Sequence, residues 1–335
     1  MRVLLTGAGG FLGQRVALSL LDKGATDVLL HYRQKPADSV IAPLAQRAPN
    51  ASVQSVAANL LARGSLRELV DGVDCIVHAA AGMRGAAADM FANSVVGTRN
   101  LLEAACAAGV KRIVLISSFS VYRTEPLSRG AWLGEATPIE EVGTNKGPYG
   151  YAKTRQEQLF LEFQRQHGFE TIVLRPGVIY GPGGSAMSPR VGIKALGFFF
   201  SLGGSATLPL SYVDNCADAV AQATLMAPAG SVFNVVDDDL PTCGEYLSVY
   251  RREVQKLRTL PIPYWVLLQG SRLLARYHRV SKGQLPAVFT PYVVRSMYRP
   301  LRYSNAALKA IGWEQGISTE QALDRSMRHW REQLA

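Results

Sequence analysis

Thr6-Gly7-Ala8-Gly9-Gly10-Phe11-Leu12-Gly13 stands between a short apolar run, Val3–Leu5, and a helical pattern over Gln14–Lys23. Gly7, Gly10 and Gly13 permit a tight turn, close backbone approach to a pyrophosphate, and tight packing of helix on strand. The N-terminus of the following helix then turns its free N–H groups toward the anion. A glycine pattern by itself is weak evidence, but between a strand and a helix within ten residues of the start it is strong. Gly7, Gly10, Phe11, Leu12 and Gly13 are therefore candidate dinucleotide contacts.

Outward from this loop, short apolar runs alternate with helical composition. Val28–Leu30, Val53–Val56, Cys75–His78 and Ile113–Ile116 read as buried strands, with helices over Ser65–Leu69 and Ala86–Ala108. Further strands are expected at Thr171–Leu174 and Val232–Val236. Such alternation predicts an α/β fold of Rossmann type, a doubly wound parallel sheet. The 335 residues suit about two lobes. Residues 1–182 are expected to form the dinucleotide-binding domain, with segments near 212–237 returning to it. Residues 183–335 form a smaller, mainly helical substrate lobe. Ligands of open α/β sheets bind at the carboxyl edge of the strands, so this lobe would close over a cleft.

Composition narrows the class. Hydrophobic residues make up 48% and charged residues 19%, ample for a packed core. No stretch approaches about 18 consecutive apolar residues, so no membrane-spanning helix is expected. The apolar start meets glycines where a secretory leader would continue, and the four scattered cysteines form neither a disulfide framework nor a metal motif. A cytoplasmic location and no metal are the expectation. The net charge of +10 lies wholly in residues 251–302, which hold 11 basic side chains and one acid, Glu253. No nucleic-acid-reading motif accompanies it, so nucleic acid is not expected as a partner. The excess suits an anionic ligand or surface, or a solvated face. On a helix over 266–279, Arg272, Arg276 and Arg279 fall within about 60°, largely opposite Val266, Leu267, Leu273, Leu274 and Tyr277. That pattern suits an anionic membrane surface, a partner, or packing of the apolar arc against the sheet lobe.

The second strand ends in Leu30-His31-Tyr32-Arg33, with no carboxylate before Asp38. An acid there would repel a 2′-phosphate and an arginine fork would pair with it. NADP is therefore expected over NAD, with Arg33 as either the phosphate contact or an exposed loop residue. Tyr149 and Lys153 lie four apart ahead of a helical run, on one face. An isolated phenol, with a pKa near 10, is a poor proton partner at neutral pH, and an adjacent ammonium together with an oxidised nicotinamide would favour phenolate. Tyr151, with Arg155 four residues on, is a decoy for the same pattern. Ser117 and Ser118 end the Ile113–Ile116 strand at the expected cleft, where a hydroxyl could donate to a substrate carbonyl.

In order, these features resemble the extended short-chain dehydrogenase/reductase family, in its 3β-hydroxysteroid dehydrogenase and dihydroflavonol reductase branch. The resemblance also rests on His78-Ala79-Ala80-Ala81, on Asn93 within Asn93-Ser94-Val95-Val96-Gly97-Thr98, on Arg175-Pro176-Gly177 with Tyr180-Gly181-Pro182, and on Tyr212-Val213-Asp214-Asn215. It implies that Ser118 polarises the substrate oxygen, Tyr149 donates and accepts the proton, and Lys153 holds the nicotinamide ribose. It also places Asn59, Leu60, Ala79, Ala80, Ala81, Asn93 and Ser117 around the cofactor, with Pro176, Gly177 and Val178 against the nicotinamide. Asn59 replaces the acid usual after the third strand, and Val178 the asparagine with which many nucleotide-sugar members bind a diphosphate. Family members often dimerise. The implied activity is NADP-dependent interconversion of a ketone and a secondary alcohol on a small substrate. Phe198-Phe199-Phe200 would suit a hydrophobic one, or serve as plain core. The alternative is a nucleotide-sugar epimerase or dehydratase with a tightly bound cofactor.

Overall fold

The computed structural model describes residues 1–83, 85–280 and 289–334. Seven strands form the central sheet: β1 (Arg2–Thr6), β2 (Asp27–Tyr32), β3 (Ser52–Ala57), β4 (Cys75–His78), β5 (Arg112–Ile116), β7 (Glu170–Pro176) and β12 (Val232–Val235). Between β5 and β7 lies the two-residue β6 (Trp132–Leu133). The sheet order is β12-β7-β5-β4-β1-β2-β3, and every pairing in it is parallel. Strand order reverses at β1/β4, so Thr6 and His78 end side by side at the switch point where a crevice opens.

Side chains alternate between two cores. Val3, Leu5, Val28, Leu30, Val77 and Val114 face one layer, with α1 (Phe11–Asp22) and α7 (Val213–Met226). Leu4, Leu29, Ile76, Ile113 and Leu115 face the other, with α3 (Leu66–Val70), α5 (Gly97–Ala107) and α6 (Gly147–His167). Burial on both faces explains the nearly unbroken apolar runs of β1, β2, β4 and β5. β3 departs from the sequence reading: Val53 and Val56 are only half-buried, because β3 is the sheet's edge beside α2 (Asp38–Arg47). The expected Ala86–Ala108 helix is also interrupted. It runs as α4 (Ala87–Phe91), a π turn over Ala92–Val96, and α5.

Residues 212–237 return to the sheet, α7 packing along α1 and β12 pairing with β7. Helix α11 (Ala306–Lys309) also packs on β12 and the first core, and the remaining lobe comprises α8 (Cys243–Glu253), α9 (Tyr264–Val280), α10 (Pro291–Tyr298) and α12 (Thr319–Glu332). Its strands were not expected from sequence. β8 (Val178–Tyr180) pairs with β11 (Leu210–Tyr212), and β9 (Gly192–Ala195), β10 (Phe198–Ser201) and β13 (Thr259–Pro261) form a three-stranded sheet. A short β14 (Arg302–Tyr303) joins β6. The Phe198–Phe200 run is thus the middle strand of the small sheet. Phe199 packs into the lobe's core and Phe200 against α9. Among the described residues no helix is long and apolar enough to cross a membrane.

Gly13 sets how closely α1 stands on β1. A Cβ there would overlap the Gly7 carbonyl, and one on Gly7, whose φ is +74°, would lie 2.9 Å from the Ala80 nitrogen. Gly13→Ala should therefore cost about 1–3 kcal/mol in urea unfolding, as overpacked sites do.

Candidate active site

A cleft of about 920 Å³ runs along the carboxyl ends of the central strands. All of the candidate site residues line it except Val178. Gly7, Gly10, Phe11, Leu12 and Gly13 form one wall, with Ala79, Ala80 and Ala81 after β4 beside them. Arg33 is exposed at the end of β2, and its Nη2 donates to Asn93 Oδ1 at 2.7 Å. The π turn presents Asn93 to the cleft while Ser94 Oγ accepts from the Gly82 N–H at 3.0 Å. Asn59 lines the cleft with its Oδ1 accepting from the Leu61 N–H at 3.0 Å, and Asn100 steadies that loop by donating to the Leu60 carbonyl at 3.0 Å.

Val178 is the exception for a local reason. Its N–H donates to the Pro209 carbonyl at 2.6 Å, and strand alternation sends its neighbours Gly177 and Ile179 to the cleft instead. A Cβ on Gly177 would overlap the Pro209 carbonyl.

Lys153 is buried at the start of α6, and its Nζ donates to the Ile116 carbonyl at 2.7 Å and to Gln156 Oε1 at 2.5 Å. Burial brings its pKa down to about 8, with the Glu157 carboxylate pulling the other way. Tyr149 lines the cleft one helical turn earlier. From the chain's own groups alone its phenol lies above the ordinary value: burial raises it, and the Ser118 hydroxyl opposes this. Ser118 Oγ also accepts from the Ser120 N–H at 3.1 Å. Tyr151 stacks on Phe91 with ring centroids 5.8 Å apart and lies outside the cleft lining.

Below these groups runs a buried polar layer. Ser117 Oγ donates to Glu157, whose Oε1 accepts from Arg175 Nη2 at 2.5 Å and Nε at 3.1 Å. The Arg175 guanidinium lies 4.6 Å over the Tyr122 ring, and Tyr122 donates to Asn234 Oδ1 at 2.5 Å. On the other side His78 is held by Thr6 Oγ1 at 2.7 Å and Thr98 Oγ1 at 2.8 Å, and Gln156 Nε2 donates to Thr98 Oγ1 at 2.9 Å.

Sequence reasoning missed Gly9, His31, Tyr32, Ala58, Met83, Ile116, Ile179, Gly183, Gly184 and Ser185, which also line the cleft. The Tyr180–Gly184 glycine run was the available signal for the last group. That loop is clasped from the far end of the chain: the Gly183 N–H donates to His329 Nε2 at 3.0 Å, and Trp330 Nε1 donates to the Gly184 carbonyl at 3.1 Å. Phe198, Phe199 and Phe200 take no part in the lining.

The arrangement fits a dinucleotide. Glycines at 7, 10 and 13 let the turn close without side chains, and among the described residues no carboxylate lines the cleft and His31 Nδ1 is buried without a hydrogen-bond partner.

The family model described as the NAD dependent epimerase/dehydratase family matches residues 3–235. Over 230 residues the chain is 31% identical to the 2-alkyl-3-oxoalkanoate reductase of Stenotrophomonas maltophilia (strain K279a), covering 65% of this chain and 63% of that protein. Over 248 residues it is 29% identical to the 4-hydroxy-2-methyl-3-oxo-4-farnesyl-3,4-dihydroquinoline-1-oxide ketoreductase of Stigmatella aurantiaca, covering 71% and 68%. The fold is similar to that of the dTDP-glucose 4,6-dehydratase DesIV of Streptomyces venezuelae, solved with NAD bound. That match has a TM-score of 0.71 at 21% identity and covers 99% of this chain and 97% of that one.

His78 makes the site sensitive to acid. Burial first, and then the Lys153 charge, bring its pKa down from 6.5 to about 3. The unfolded chain therefore takes up a proton below about pH 6.5 that the folded one refuses. The His78 contribution to stability is complete above that pH and is lost toward about pH 3, at up to about 1.4 kcal/mol per pH unit. Melting temperature measured between pH 7 and pH 4 should drop less steeply in His78→Gln than in the parent.

Proposed function

The chain belongs to the NAD dependent epimerase/dehydratase family, and from that premise we propose that it is an NADP-dependent oxidoreductase interconverting a ketone and a secondary alcohol on a small, largely apolar substrate. The observation that carries the reading is the convergence of Ser118, Tyr149 and Lys153 on one acid-free cleft beside the glycine cradle. When bound, the nicotinamide cofactor supplies or takes up the hydride. The cradle Gly7–Gly13, Ala79–Ala81, Asn59 and Leu60 would hold it, with Pro176 and Gly177 toward the nicotinamide end. Arg33 would pair with a 2′-phosphate, since guanidinium matches phosphate geometry and, among the described residues, no carboxylate lines the cleft. Asn93 keeps the Arg33 fork at the rim of the cleft.

In this reading Tyr149 passes a proton to the substrate oxygen during reduction and withdraws it during oxidation. Ser118 donates to the same oxygen as charge builds on it. Lys153, fixed by the Ile116 carbonyl and Gln156, lines the same cleft one helical turn after Tyr149 and would bind the nicotinamide ribose. The two relatives' printed names, an oxoalkanoate reductase and a ketoreductase with a farnesyl-bearing substrate, favour a lipophilic ketone.

The second reading, a nucleotide-sugar epimerase or dehydratase with tightly held NAD(P), is favoured by the likeness to dTDP-glucose 4,6-dehydratase. It is disfavoured by Val178, which is apolar and turned from the cleft. Purified protein carrying stoichiometric oxidised dinucleotide, and turning over without added cofactor, would select it.

A hydride-transfer assay over ketones and secondary alcohols tests the first reading. Tyr149→Phe should lower kcat by about 10²–10⁴-fold while NADPH still binds. Unchanged turnover would remove the mechanism. Arg33→Ala should weaken NADPH by about 10–100-fold and leave NADH nearly unaffected, as expected for one charge-assisted contact.

A further inference from the structure

Helix α9 packs inward mainly by other residues than the apolar arc read from its sequence. Tyr264, Leu267, Leu268 and Ser271 turn inward, where the first three pack with Leu202, Val294 and Tyr298. Of the apolar arc expected to pack, only Leu267 reaches that core; Leu273 remains 69% exposed and Tyr277 54%, with Val266 and Leu274 also exposed. Val266, Leu273 and Tyr277 fall within about 40° of one another on the outward side. Trp265, 69% exposed, lies between Arg272 and Arg276 in a neighbouring arc of about 40°. The Arg279 side chain and residues 281–288 of the basic segment lie outside the described residues.

The small sheet on which α9 packs carries exposed apolar residues of its own. Phe200 pairs with Ile193 and Leu260, and all three side chains stand on the face that meets α9. Phe198, two residues before Phe200, shares that face and is exposed, as is Leu260. Leu196 tops the β9–β10 hairpin at 91% exposure, with a φ of +51°. Beside the root of α9, Arg251, Arg252, Lys256 and Arg258 line a separate basic cleft of about 640 Å³. The segment's sole acid, Glu253, is already bonded to Arg252 at 2.7 Å.

We propose that this face, formed by α9, the β9–β10 hairpin and the basic cleft, docks on an anionic lipid surface. The occupant follows from charge and shape together. Exposed leucines, tryptophan and tyrosine fringed by arginine and lysine fit the boundary between acyl chains and anionic headgroups. A second copy of this chain is the poorer occupant, because the same patch on both partners would set a concentrated positive charge against itself. A free anion would leave the apolar residues in water. The docking is independent of the redox chemistry, since the face shares no residue with the cofactor cleft.

Flotation of the full chain with vesicles tests it, using phosphatidylcholine alone and mixed with phosphatidylglycerol. The protein should float with the mixed vesicles, not with the neutral ones, and high salt should release it. Leu273→Glu with Tyr277→Glu should reduce partitioning by at least about tenfold. Arg272→Gln and Arg276→Gln should each reduce it about fivefold. NADPH binding and melting temperature, measured on the same variants, should stay at parent values. No flotation with anionic vesicles, equal flotation with neutral ones, or equal partitioning of parent and variants would overturn the proposal. So would a parent dimer that ignores vesicles and is dissolved by Leu273→Glu, which would identify the face as a contact between copies.

Discussion

At the turn from β1 into α1, backbone packs on backbone with no side chain between. The Gly10 N–H donates to the Gly7 carbonyl at 2.9 Å, and Gly13 sits over that same carbonyl. Gly7 in turn abuts Ala79 and Ala80 at the end of β4. This crowding brings the amino end of α1 to the place where strand order reverses. A side chain at Gly13 would push α1 off β1, and one at Gly7 would collide with the backbone after β4. The salt links Arg15–Asp214, at 3.3 Å, and Lys23–Asp218, at 3.0 Å, join α1 to α7 farther out, but half-exposed pairs of this kind contribute little.

Helix α6 ties the sheet to the chemistry. Along it, Lys153, Gln156 and Glu157 enter the interior and are each satisfied by a different strand end. Lys153 meets β5, Gln156 meets the Thr98–His78 cluster beside β4, and Glu157 meets Arg175 of β7. The buried Glu157–Arg175 pair is weak evidence for stability, because both charges lose their water. Its value is in register. Removing one partner would strand the other charge, so α6 is held at one depth and Tyr149 with it. Ser117, bonded to Glu157, carries the same constraint to its neighbour Ser118.

The later half of the chain works largely by closing distances. His329 and Trp330 of α12 reach back to residues 183 and 184, which border Phe11 across the cleft. Asn215 and Asp237 join α7, the end of β12 and the approach to α12: Asn215 donates to Asp237 Oδ1 at 3.1 Å and to the Ile317 carbonyl at 2.8 Å. One wall of the cleft is therefore supported by residues more than a hundred positions away.

Much of the sheet and the cradle could be read from the chain alone because each depends on short-range chemistry. Glycine between a strand and a helix has few uses, and parallel strands buried on both faces must be apolar throughout. The Tyr149–Lys153 spacing fixes a shared helix face in the same way. Burial relative to distant partners could not be read: Val53 and Val56 look like core, yet β3 has no outer neighbour. The π turn left no mark in the periodicity, nor did the way the Pro209 carbonyl turns Val178 from the cleft. α9 makes the division plainest. Its sequence specifies a basic, amphipathic helix with apolar residues on more than one side. Only the packing of Leu267 and Leu268 against Val294 and Tyr298 decides which are covered, because a periodic pattern defines faces without saying what stands opposite them.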